Sequence, residues 1–371
     1  MRHSGRAGAV LRIDLQALRS NYRLLKSKLG IARCGAAVKA DAYGLGAIPV
    51  AQALYADGCR HFFVAHLEEA INLRPHLASD AQIIVMHGSP VGYEAEFLEY
   101  QCTPVLNSTE QIAAWKMLAM QHQRSLPALL QVDTGMARMG LSDQEIRQWQ
   151  EDSHFLDGID VQYLMSHLAS AEDQVNPMNR TQLAKFRQLQ NLLPGVKASL
   201  ANSSGIFLGS DFHFDLARPG AALYGVAPVA GQVNPLQAVA HLQGRIIQTR
   251  EIPAGTGVGY GSTWRSKNAA RIATVAVGYA DGWMRSFSNR GVAHIAGQEV
   301  AIVGNISMDT LTLDVTRIAA EHLQPGMLVD LISATNTVDA VAAKANTIGY
   351  EILTSLGARY ERHYSDSQSI D

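Results

Sequence analysis

Lys39 ends an apolar run, CGAAVK (34–39), and leads into ADAYGLG (40–46). A lysine closing a buried strand sits where desolvation lowers its pKa and frees the amine as a nucleophile, the property needed to condense with an aldehyde. Position alone fits an ordinary lysine at the rim of the fold at least as well. Two later turns, ANSSG (201–205) and RPGAA (218–222), each follow an apolar run and combine small, hydroxyl-bearing or glycine residues. Such turns present backbone N–H groups to a phosphate. Singly they are common. Together with a strand-end lysine they describe a phosphorylated aldehyde cofactor lying across the ends of several strands.

Three other residues are candidates with plainer alternatives. His167 closes DVQYLMSH (160–167) and equally reads as a satisfied core histidine. Arg218 reads as a surface ion-pair residue, against which stand its strand-end position and the Pro-Gly that follows. Tyr260, in GVGYGST (257–263), is by itself best read as a turn aromatic. The 13 histidines form no HxH, HExxH or Cys-His pattern, so no metal is expected.

The elements that must position these residues follow from the apolar pattern. Eight dense runs occur in order: CGAAVK, HFFVAH (61–66), QIIVMH (82–87), CTPVLN (102–107), ALLQVD (128–133), DVQYLMSH, VKASLAN (196–202) and FDLAR (214–218). They suit parallel strands buried on both faces. Helical stretches lie between them. Ser108 with Gln111 and Ser142 with Glu145 have capping-box spacing, and Leu183, Phe186, Leu189 and Leu193 form a helical stripe. An additional helix, capped by Asp14 and carrying Leu15, Leu18, Tyr22 and Leu25 on one face, precedes the first run. Eight strand–helix units without a dinucleotide fingerprint predict an α/β fold, a (β/α)8 TIM-type barrel, over residues 1–230. The first ten or so residues are expected to pack with the second domain.

VAPVAGQVNPLQAVA (226–240) marks the boundary. Beyond it, RIATVAV, VAHIAG, EVAIVG and TLTLDV alternate with turn signals, predicting a mainly antiparallel β domain over 231–371, with a polar tail that frays after Tyr364.

The chain has 371 residues, is 47% hydrophobic and 17% charged, and carries a net charge of −2, which fits two domains and excludes a basic nucleic-acid groove or membrane surface. Cys34, Cys59 and Cys102 stand far apart, which argues against a disulfide framework. MRHSGRAGAV has no apolar signal segment, and no run approaches a membrane span, so a cytoplasmic location is expected.

Nine ordered stretches carry a specific resemblance: AVKADAYGLGA (37–47), VDTGMARMG (132–140), SHLASAED (166–173), ANSSG, ARPGAALYG (217–225), GVGYGSTW (257–264), VGYADG (277–282), GNISMD (304–309) and TIGYEIL (347–353). Over nearly its whole length the chain resembles the bacterial alanine racemases. The resemblance implies that Lys39 carries pyridoxal phosphate covalently. It implies that Tyr43, Ser203, Gly220, Ala221 and Tyr350 contact the phosphate, with Asn202 also on the cofactor. Arg218 would face the pyridine nitrogen, oriented by His167. Arg138 would hydrogen-bond the phenolic oxygen and help place the substrate carboxylate. Met308 and Asp309 would shape the carboxylate end of the pocket, and Tyr279 would line its mouth. Lys39 and Tyr260 would be two bases on opposite faces of the α-carbon, interconverting L- and D-alanine. The family also implies a homodimer with shared active sites, one subunit's β domain covering the other's barrel, and a role in supplying D-alanine for peptidoglycan.

The roles are physically coherent. A phenol needs a neighbouring cation or donor to act as a base at neutral pH. Arginine cannot give up its proton, so at the pyridine nitrogen it keeps that nitrogen unprotonated, which weakens the electron sink and favours quick reprotonation. Two positions depart from the family pattern. Gln131 stands where a lysine, often carbamylated, supports the arginine, so Arg138 is expected to be held less tightly. Leu45 replaces a frequent histidine. The rivals are a serine or broad-specificity racemase, a decarboxylase of the same scaffold, and a non-catalytic single-barrel protein that binds the cofactor. Arg218 argues against the decarboxylase, and the β domain against the single barrel.

Overall fold

The computed structural model describes residues 6–366. The chain divides into two compact units. Among the described residues, one takes the chain up to Leu18, Tyr224–Val226 and the chain from Leu236, and the other takes Arg19–Leu223 and Ala227–Pro235.

The second unit is the barrel. Ala36–Ala37, His61–Val64, Gln82–Val85, Cys102–Leu106, Leu126–Gln131, Ile159–Met165 and Lys197–Ser199 pair in chain order as one parallel sheet. Phe62, Phe63, Ile83, Ile84 and Val85 are wholly buried, as strands covered on both faces require. The eighth run contributes only Leu216–Ala217, which pairs in parallel with Arg33–Cys34, the start of the first run. Its other edge meets the seventh strand through Asp215 N–H to Ala198 O (3.0 Å) and Arg218 N–H to Ala201 O (2.8 Å). The ring of eight is therefore closed. Gly35 lies between the two halves of the first run, where a Cβ would lie 2.9 Å from the Phe63 ring.

Several boundaries differ from the sequence reading. The first strand stops at Ala37, so Lys39 belongs to the turn that follows rather than to the strand itself. The helix Pro177–Gln190 buries Leu183, Phe186 and Leu189 but ends before Leu193, ahead of Pro194-Gly195. The capping pairs form: Ser142 Oγ accepts from Glu145 N–H, and Ser108 Oγ from Gln111 N–H. Asp14 caps the helix Leu15–Lys28 through Ala17 N–H at 2.9 Å.

The other unit is built on the long strand Ala240–Ile252. It pairs antiparallel with Ala9–Asp14, Leu328–Ile332 and Ala270–Val275, and Ala270–Val275 pairs with Leu311–Asp314. One pairing is parallel, Ala9–Asp14 with Glu361–Ser365. That pairing keeps Ser365 in a strand, and the tail expected to fray beyond it lies mostly outside the described residues. Two helices, Val338–Ala345 and Gly349–Ser355, complete the unit. Among the described residues, no helix is long and apolar enough to cross a membrane, and the three cysteines are buried free thiols.

Candidate active site

Lys39 opens a turn in which Ala40, Asp41, Ala42 and Tyr43 all have φ between 53° and 56°. A left-handed L-residue costs roughly 1–2 kcal/mol, so four in succession persist only where surrounding bonds hold them. Ala42 N–H donates to Val38 O, Gly46 N–H to Asp41 O, and Ala47 N–H to Asp41 Oδ1. Burial, and then the nearby Arg138 cation, lower the Lys39 pKa, which favours a neutral amine.

Arg218 lies across the barrel mouth, buried. Its guanidinium donates to Ser199 Oγ (2.5 Å) and to the Ser166 carbonyl (2.6 Å). Among the described residues no carboxylate pairs with it. Burial pulls its pKa down to about 9, yet with acceptor-only partners it stays charged at neutral pH. His167 sits among three cations. Burial, then Arg218, Arg138 and Lys39, push its imidazole down to about 3, so it is neutral. The expected bond from His167 to Arg218 is not among those the described residues make. Ser199 Oγ and the Ser166 carbonyl hold the guanidinium.

The two small turns form a cradle. Ser203 Oγ accepts from Gly220 N–H (2.9 Å) and Ala222 N–H (3.2 Å). The Gly220 and Ala222 N–H groups are thus engaged by Ser203 Oγ, and the Ala221 N–H is not. A Cβ at Gly220 would collide with the Tyr43 hydroxyl, so glycine is what lets Tyr43 close over this turn. Asn202 serves the loop itself: its Oδ1 accepts from Gly205 N–H at 2.9 Å. Its Nδ2 donates to the Leu168 carbonyl at 3.5 Å.

The loop that carries Arg138 is shaped by residues the sequence reading passed over. Asp133 accepts from Gly135, Met136 and Ala137 N–H within 2.9–3.2 Å. That is the turn chemistry an Asp-Thr-Gly signals. The fully buried Gln182 donates to Thr134 Oγ1 (3.1 Å) and to the His167 carbonyl (2.9 Å), and accepts from Ala169 N–H (2.9 Å). The Thr134 hydroxyl in turn donates to Ser166 Oγ (2.8 Å), whose own proton goes to Val132 O. One satisfied network therefore ties the Arg138 loop to the segment holding Arg218. Gln131 is buried, and no hydrogen bond joins it to Arg138 among the described residues.

The β unit assembles its own set. Tyr260 stands in a short turn between Gly259 (φ 70°) and Gly261 (φ 73°), and is 74% exposed. Its carbonyl accepts from Asn305 Nδ2 (2.8 Å). Tyr279 N–H donates to Ser307 O and Ala280 N–H to Met308 O, so the GNISMD loop holds the Tyr260 and Tyr279 turns together. Arg359 donates twice to the buried Asp281 (2.6 and 2.9 Å) and once to Asp309 (2.8 Å). Asp309 is thus neutralised from behind, and Met308 is left 54% exposed. Tyr350 is the second residue of Gly349–Ser355 and is also exposed.

Comparison with known proteins finds matches along nearly the whole chain. Residues 13–228 match the family model for the alanine racemase N-terminal domain, and residues 239–364 that for the alanine racemase C-terminal domain. A relative named alanine racemase, catabolic, from Mesorhizobium japonicum is 46% identical over 96% of this chain and 93% of its own. The alanine racemase of Rhodospirillum rubrum is 46% identical over 98% of each chain. Among solved structures, alanine racemase from Bartonella henselae with covalently bound pyridoxal phosphate superposes with a TM-score of 0.93 at 42% identity, over 97% of this chain and all of that one. The biosynthetic alanine racemase of Pseudomonas aeruginosa gives 0.89 at 34% identity, over 97% of this chain and 99% of that one.

Proposed function

This chain belongs to the alanine racemase family, and from that premise we propose that it interconverts L- and D-alanine with Lys39 and Tyr260 as bases on opposite faces of the α-carbon. It is a pyridoxal-phosphate-dependent isomerase. The barrel residues fit that cofactor: an amine of lowered basicity on Lys39, a serine and glycine cradle closed by Tyr43, and a buried cation without a carboxylate partner. When bound, pyridoxal phosphate draws the electron pair left at the α-carbon into its ring.

The protein's residues do the rest. Lys39 holds the cofactor and takes or returns the proton on one face, and Tyr260 does so on the other. Arg138 pairs with the substrate carboxylate. Tyr43, Ser203, Gly220 and Ala221 would hold the phosphate, joined by Tyr350, and Met308, Asp309 and Tyr279 would shape the pocket. Tyr260 and Met308 stand exposed on a single chain. We assign their cover to a second copy, the β domain of each subunit closing the barrel of the other and excluding water. The equilibrium constant between enantiomers is one, so the same site supplies D-alanine or consumes it according to substrate supply.

Arg218 is the observation that carries the reading. A buried, donor-only cation facing a bound cofactor's ring nitrogen would keep that nitrogen unprotonated and would limit electron withdrawal to what racemisation needs. Arg218→Glu is expected to slow racemisation by about tenfold or more and to raise the conversion of alanine to pyruvate by transamination. Enantiomer ratio and pyruvate are measured on the same sample. If both rates match the wild type in a protein that melts normally, Arg218 has no electronic role.

A further inference from the structure

Glu69 belongs to none of the motifs. It is the third residue of the helix Leu67–Leu73, and its Oε2 accepts from His66 N–H (3.1 Å) and Ala65 N–H (2.7 Å). That much is the work of a capping glutamate. Its other oxygen leaves the helix. Oε1 accepts the Ala40 N–H at 2.5 Å, from a residue 29 positions away. Ala40 directly follows Lys39 and is the first of the four left-handed residues. A clamp on this amide therefore acts where the backbone turns away from Lys39.

We propose that Glu69 is a positioning residue for Lys39, its carboxylate locking the left-handed turn so that the Lys39 amine is aimed into the barrel mouth. This rests on the reading of Lys39 as the reactive amine. Glu69 also acts on Lys39 through its charge, which raises the Lys39 pKa against the lowering by burial and by Arg138. Glu145 provides a matched contrast. It too caps a helix, accepting from Ser142 N–H (2.8 Å), and reaches another segment at Thr109 N–H (3.0 Å), but neither bond touches the Lys39 turn.

The test compares E69Q, E145Q and Lys39→Ala in the full-length protein. Glutamine still serves a capping box, so the helix is kept. Its amide cannot accept from both sides as a carboxylate does. Two quantities are read. One is kcat and KM for L-alanine. The other, on protein freed of pyridoxal phosphate, is the pH at which acetic anhydride acylates half of Lys39, read by peptide mass. E69Q is expected to lose about tenfold or more in kcat with little change in KM, since small misplacements of a reacting group carry such costs. Its half-acylation is expected at lower pH, because the charge that held the proton is gone. E145Q is expected to match the wild type in both. Equal behaviour of E69Q and E145Q, with Lys39→Ala inactive, overturns the role of Glu69. Turnover by Lys39→Ala overturns the reading of Lys39 and this inference with it. If E69Q does not fold, E69D, which keeps the charge but shortens the reach to Ala40, must show the kcat loss. Full activity in E69D overturns the clamp.

Discussion

Lys39→Ala is expected to abolish racemisation, lowering kcat by about a thousandfold or more, because a covalent nucleophile and a proton carrier are lost together. The cations around it, Arg138 and Arg218, are guanidiniums that do not serve as nucleophiles at neutral pH. The variant is also expected to lose covalent retention of the cofactor. In the wild type, borohydride should bleach the visible cofactor band and leave a mass label on the peptide containing Lys39. Near-normal turnover by the variant without added amine, or a label on another lysine, would remove Lys39 from the reaction.

Mixing Lys39→Ala with Tyr260→Ala is expected to restore activity that neither variant has alone. Lys39 lies in the barrel unit, whereas Tyr260 lies in the β unit and is exposed on its own chain. If each site takes Lys39 from one subunit and Tyr260 from its partner, a mixed dimer carries one doubly defective site and one intact site. Statistical exchange makes half the dimers mixed, so recovery should approach about a quarter of wild-type activity. An obligate pair of this kind should bury roughly 2,000–5,000 Å². Exchange is confirmed by native mass spectrometry of differently tagged copies. Confirmed exchange with no recovered activity would place Tyr260 in the site of its own chain.

Much of this protein is legible in its sequence, and the remainder fails for identifiable reasons. The eight apolar runs are readable because strands buried on both faces need continuous hydrophobic stretches. Their lengths are not: the eighth shrinks to Leu216–Ala217, although the Pro219 carbonyl still accepts from Ala37 N–H. The left-handed turn after Lys39 is invisible because Ala, Asp, Ala and Tyr carry no signal for positive φ, which only the distant Glu69 and other bonds impose. Gln182 hides beside an apolar stripe, although a polar residue in that position signals a buried network. Arg359 lies far in sequence from both aspartates it joins, so only the fold reveals it. Asn202 and His167 were found as residues but not as contacts. Side-chain partners depend on which strand ends meet, and that is tertiary information. The helices Val338–Ala345 and Gly349–Ser355 are likewise masked by the β-rich texture of the runs around them.

The most direct test of the central claim is to give the purified protein, loaded with pyridoxal phosphate, pure L-alanine in deuterium oxide. Both enantiomers and the α-hydrogen are then followed to equilibrium. A racemase with these two bases predicts optical activity falling to zero, equal amounts of L- and D-alanine, and solvent deuterium at the α-carbon. L-alanine that persists unchanged, or that is consumed with release of carbon dioxide and no D-alanine, would contradict it.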